Sequence, residues 1–146
     1  MQRQRVIAAV VGVGVLVALA IPLLSLRLGE PRTSTLAKAG DARVALDTLT
    51  DGGVPSGVLT PIEVLAKGDP AGVTAKALGI KGVATAVAPD TPAFRRDGTA
   101  VVDVLPVAEA GQGSGRATVR AVRGALDSDA TVLGVGGVGA QSIDAV

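Results

Sequence analysis

The stretch Val58–Gly79, VLTPIEVLAKGDPAGVTAKALG, decides the fold. Its first part, Val58–Ala66, is rich in Val, Leu and Ile and reads as a buried strand. Pro61 is confined to the start or an edge of that strand, because proline has no N–H for the ladder. Lys67-Gly68-Asp69-Pro70 turns the chain, and Pro70 suits the first turn of a helix. Val73, Ala77 and Leu78 then recur at helical spacing until Gly79, a residue on which helices end. A helix following a strand across a tight turn is the opening of a βαβ unit.

Working toward the C-terminus, Gly82–Ala88 and Thr99–Val107 are two β-branched runs around Pro89-Asp90-Thr91-Pro92 and Asp97-Gly98. They predict a hairpin with a long loop or an extra turn. Ala100, Val102 and Val104 alternate with Val101, Asp103 and Leu105, so the second face of that strand is only partly polar. After the glycine-rich Gly111–Gly115, the residues Ala117, Val119, Val122 and Leu126 predict an amphipathic helix with Arg116, Arg120 and Arg123 grouped opposite. Thr131–Val135 predicts a last buried strand. The order βαββαβ matches a ferredoxin-like unit, an α/β (α+β) sheet with helices on one face.

Toward the N-terminus, Val44, Ala45 and Leu49 predict a short helix begun by Asp41 and stopped at Asp51-Gly52-Gly53. Gly29–Gly40 reads as a linker. Before it, Val6–Leu26 carries no charged residue, and at about 1.5 Å per residue it matches the ~30 Å hydrocarbon layer. Arg3 and Arg5 on one side, against Arg27 and Arg32 interleaved with Glu30 and Asp41 on the other, put the N-terminus in the cytoplasm. The rival reading is a signal peptide cleaved near Ala18-Leu19-Ala20, which would leave Ile21-Pro22-Leu23-Leu24 as an apolar new terminus. The expected organisation is a transmembrane helix with a short cytoplasmic tail over 1–28, a linker with a short helix over 29–56, and an extracytoplasmic ferredoxin-like domain over 57–146.

Composition narrows the function. The 146 residues are 48% hydrophobic but only 1% aromatic, so the core is built from Val, Leu, Ile and Ala with Phe94 the sole ring. Cys and His are absent, which removes disulfides, thiolate ligands, the commonest metal ligand and the commonest general base together. With Arg3 and Arg5 set aside, 12 basic residues face 13 acidic ones, and no aromatics interleave them. Nucleic acid is therefore not an expected partner.

Three constellations invite chemistry. Gly134, Gly136 and Gly139 satisfy G-x-G-x-x-G after a strand, but a dinucleotide site needs a following helix, a second strand and a distant acid, and few residues remain. A close-packed strand exit is expected instead. Asp127 and Asp129 sit where Asp favours a turn, and Arg95-Arg96 beside Phe94 reads as a solvated pair at a hairpin tip. No catalytic, metal-ligating or cofactor-binding residue is identified, no cofactor is implied, and the chain is not expected to be an enzyme.

The apolar helix running into Leu26-Arg27-Leu28-Gly29, the Thr35-Leu36 step, Gly57-Val58-Leu59-Thr60-Pro61-Ile62-Glu63-Val64-Leu65, and Val135-Gly136-Gly137 with Ala140 and Asp144 together resemble the MMPL family of the RND transporter superfamily. The resemblance covers nearly the whole chain, and the junction after the first helix is more similar to the second half of such proteins. It implies a plasma (inner) membrane protein that exports lipids or other hydrophobic substrates using the proton gradient, with this chain supplying one anchor helix and one porter subdomain. The partners it implies are the membrane, the remaining transporter segments and a lipid or hydrophobic substrate. The sequence departs from the family pattern at Leu36-Ala37, at Gly53-Val54-Pro55-Ser56 and at Gly139, and it stops at Val146, before the helices in which the family carries its proton relay. By that comparison the chain alone is expected to be incomplete as a pump. Two alternatives stand beside it: a single-pass anchored protein whose outer domain binds or scaffolds a partner, and an extracytoplasmic enzyme, for which no constellation speaks.

Overall fold

The computed structural model describes residues 11–21, 33–36 and 38–144. Residues 11–21 form a helix, α1, whose large side chains are all exposed, Leu16 by 68%. Among the described residues no helix is long and apolar enough to cross a membrane. The expected span Val6–Leu26, and the linker after it, lie partly outside the described residues.

The linker holds one turn of helix, α2 (Thr33–Leu36), and is followed by α3 (Asp41–Asp51). Gly40, not Asp41, occupies the cap position, with Asp41 in the first turn where a negative charge suits the helix dipole. The stop falls where glycine predicts it: Gly53 has φ 81°, and the Val54 N–H donates to the Leu49 carbonyl at 2.9 Å. The expected apolar face is corrected, because Val44 is 64% and Leu49 43% exposed and no residue of α3 is buried. Arg43, Leu46 and Asp47 turn toward the domain instead, with the Arg43 guanidinium on the Asp47 carboxylate at 2.8 Å.

The predicted strand Val58–Ala66 divides at its proline. Ser56–Leu59 is a 3-10 turn, and β1 (Ile62–Lys67) begins immediately after Pro61, since the ring can donate no ladder bond. The rest follows as α4 (Ala71–Leu78), β2 (Val83–Val87), a two-residue β3 (Arg95–Arg96), β4 (Thr99–Pro106), α5 (Gly113–Leu126), β5 (Val132–Gly136) and α6 (Val138–Asp144). Asp97 and Gly98, both at positive φ, close the two-residue turn from β3 into β4 as a type I′ pair requires.

The result is a mixed α+β domain on one antiparallel sheet of order β2-β4-β1-β5, with β3 extending β4. β1 and β4 are central, in the register Ile62↔Val104, Glu63↔Asp103, Val64↔Val102, Leu65↔Val101. Strict alternation sends Ile62, Val64, Ala66, Val102 and Val104 to one face, where all are fully buried. Val73 and Ala77 of α4 and Val119, Val122 and Leu126 of α5 close over them. Each Val, Ile or Leu among them contributes about 1.5–3 kcal/mol by leaving water. One member of the predicted α5 face is corrected: Ala117 is exposed, and Thr118 is buried with its hydroxyl donating to the Ser114 carbonyl.

Sequence reading gives no helix after the last strand, and α6 corrects that. Ala140 is 1% exposed and Ile143, one turn on, packs against the core, so burial rather than length sustains this short helix.

Candidate functional site

An apolar groove of about 620 Å³ lies between α4 and the edge strand β2. Asp69 Oδ1 accepts the Ala71 N–H at 3.0 Å, fixing the start of α4 after Pro70 and setting Ala71, Ala75 and Leu78 along one wall. Val87, Ala88 and Pro89 form the other. Leu78 is 52% exposed, so the groove carries apolar surface that the domain does not cover. Its chemistry is bare. The Thr74 hydroxyl is committed to the Pro70 carbonyl at 2.9 Å, and Arg95, at one end, is paired with Asp90 at 2.9 Å. The arrangement can hold an apolar group and offers no nucleophile with a base.

A second surface is the sheet face opposite the core. Glu63, Leu65, Val101, Asp103 and Leu105 point there, together with Val87 from β2 and Leu133 from β5. Gly134 and Gly136 lie opposite Leu65 and Glu63 and present no side chain, leaving a depression of about 400 Å³ over β1 and β5. Burial raises the Asp103 carboxyl above its ordinary value.

The residues singled out from sequence fall in separate places. Gly134 and Gly136 lie within β5 and Gly139 within α6, so the three straddle a strand-to-helix junction, and packing explains that exit: a Cβ at Gly139 would lie 2.7 Å from that of Ala110, and Gly137 between the two elements takes φ 88°. Asp129 is a turn residue as expected, its Oδ1 accepting the Thr131 N–H at 3.0 Å and hydroxyl at 2.6 Å while Oδ2 pairs with Lys76 of α4. These bonds hold its carboxyl well below the usual carboxylate range, the Lys76 ammonium contributing most. Asp127 is exposed at the end of α5. Of Arg95-Arg96, Arg96 is solvated, 91% exposed beside Asp97, whereas Arg95 lines the groove and pairs with Asp90.

The three arginines of α5 do not share one role. Arg123 binds Asp144 of α6 through two hydrogen bonds of 2.7 Å, which raise its own pKa and lower that of the carboxylate. Arg120 is exposed, and Arg116 is half-buried with its Nε lacking a hydrogen-bond partner among the described residues.

Glu109 escapes the sequence reading. It is 6% exposed, accepts the Thr33 N–H at 3.3 Å on both carboxylate oxygens and takes a 3.0 Å bond from Gln112 Nε2, tying α2 to the turn before α5. An acid inside the apolar run Pro106–Ala110 was the available signal. The opposition of Glu63 and Asp103 was hidden for another reason, since strand pairing is not written in either strand alone. Among the described residues no cluster of three or more acidic side chains is placed to hold a metal ion. Comparison with known protein families, characterised proteins and solved structures finds no match to this chain.

Proposed function

We propose that the chain is part of a membrane transport protein resembling the proton-driven MMPL exporters, contributing one anchor helix and one ferredoxin-like porter subdomain outside the plasma membrane. The observation that carries this reading is the α4–β2 groove, which is mainly apolar and open, with its Asp69, Thr74 and Arg95 each committed to a bond within the domain. It suits a wall along which a lipid or other hydrophobic substrate passes, acting by contact and not by chemistry. The βαββαβ order with sheet order β2-β4-β1-β5 supports the ferredoxin-like assignment, and the anchor rests on the uncharged sequence Val6–Leu26. In this reading the N-terminus is cytoplasmic and the domain after Leu26 is external.

Photo-crosslinking tests it. With a diazirine amino acid at Leu78 or Ala75, the membrane-embedded chain is expected to capture lipid, and the same probe at exposed Ala117 is not. Equal capture at all three positions contradicts the groove's role. A second reading, an anchored binding or scaffold protein, is favoured by the uncovered sheet face, which is suited to a macromolecular partner.

A further inference from the structure

We propose that the uncovered face of the sheet is the docking surface for an amphipathic helix of a partner polypeptide, one that sets a Lys or Arg among its apolar residues opposite Glu63 and Asp103. The inference does not rest on the transport reading, which uses the groove beside α4.

A sheet with apolar residues on both faces needs a layer on each. Here α4 and α5 cover one face only. On the other, Leu65 is 39% and Leu133 54% exposed, and Val101 and Leu105 are half-buried. Four strands spaced about 4.8 Å apart give a surface some 15–20 Å across, which accommodates a helix of about 10–12 Å diameter. The depression over Gly134 and Gly136 admits that helix's side chains.

Charge selects the partner. Glu63 and Asp103 are directly opposed across β1 and β4, and neither has a hydrogen-bond or ion-pair partner among the described residues. The nearest cation on that face, Lys67, stands four residues along β1, about 13 Å away. A purely apolar or acidic helix would bury two carboxylates without a counterion, which is costly. A single basic residue over the pair answers both.

The test is a library of displayed single-helix peptides, randomised over one apolar face and selected against the full chain in lipid nanodiscs. Lys or Arg is expected to be enriched about tenfold over Asp and Glu at one central position. Against a chain carrying Glu63→Lys and Asp103→Lys the preference is expected to reverse, and Asp103→Asn alone is expected to weaken it. Selected peptides are expected to shift the methyl resonances of Leu65 and Val101. Absence of a charge preference, a preference unchanged by reversal, or shifts confined to α4 and α5 would overturn the proposal. So would concentration-dependent self-association through this face, which would assign it to a second copy. Circular dichroism of the variants confirms that the exposed-face substitutions leave the fold intact.

Discussion

Glu63 and Asp103 face each other across the two central strands, on the side of the sheet that no helix covers among the described residues. Like charges in direct cross-strand register destabilise by a few tenths to about 1 kcal/mol. Because burial raises the Asp103 pKa in the folded state, the native chain holds this proton more tightly than the unfolded one. Stability therefore falls as pH rises from the ordinary Asp value through the raised one. Asp103→Asn is expected to remove that fall and to gain about 0.5 kcal/mol at pH 7. Urea midpoints of both proteins between pH 3 and pH 7 check it.

Asp129 gives the opposite sign. Its carboxyl is held low by Lys76 and Thr131, so its contribution is present above the ordinary Asp range and is lost as pH falls below it. Asp129→Ala is expected to lower the urea midpoint at pH 7 and to flatten the acid limb of the stability curve. Lys76→Met is expected to do so to a smaller degree, because the Thr131 bonds remain.

Two glycines of α5 separate close packing from helix propensity. A Cβ at Gly115 would run into the Glu109 carbonyl, so Gly115→Ala is expected to cost about 1–3 kcal/mol. Nothing lies within 4 Å of one at Gly124, and Gly124→Ala on the solvent side is expected to gain about 0.5–1 kcal/mol. Thermal melts of the two variants should move in opposite directions.

The two faces of β1 differ in the same way. Ile62→Ala is expected to cost about 2–5 kcal/mol, because the residue is fully buried among α4, α5 and α6. Leu65→Thr, three residues on and 39% exposed, is expected to stay within about 0.5 kcal/mol. Denaturant unfolding distinguishes them, and a large loss at Leu65 would mean that its face is already covered.

The elements most legible in sequence were those marked by backbone chemistry. Pro70 and Gly79 bracket α4, Asp97-Gly98 sets the β3–β4 turn, and the alternation from Ala100 to Val104 gives β4 its buried face. Apolar spacing misled where tertiary contacts decide. Val44 and Leu49 point outward because Arg43 and Asp47 face the domain, and α6 forms because Ala140 and Ile143 find the core. The groove was partly legible, since Ala71, Ala75 and Leu78 lie on a helix read correctly, whereas its second wall depends on β2 lying beside that helix. Glu109 and the Glu63–Asp103 pair depend on partners 76 positions away in sequence and on the neighbouring strand, which no local pattern encodes.

The central claim is an anchored domain outside the membrane, and one measurement bears on it most directly. The full chain, expressed with an epitope tag after Val146, is treated with protease in intact cells, and the membranes are then extracted with alkaline carbonate. The account predicts a tag cut from outside on a chain that stays with the membrane pellet. A tag protected in intact cells, or a chain released by carbonate, would contradict it.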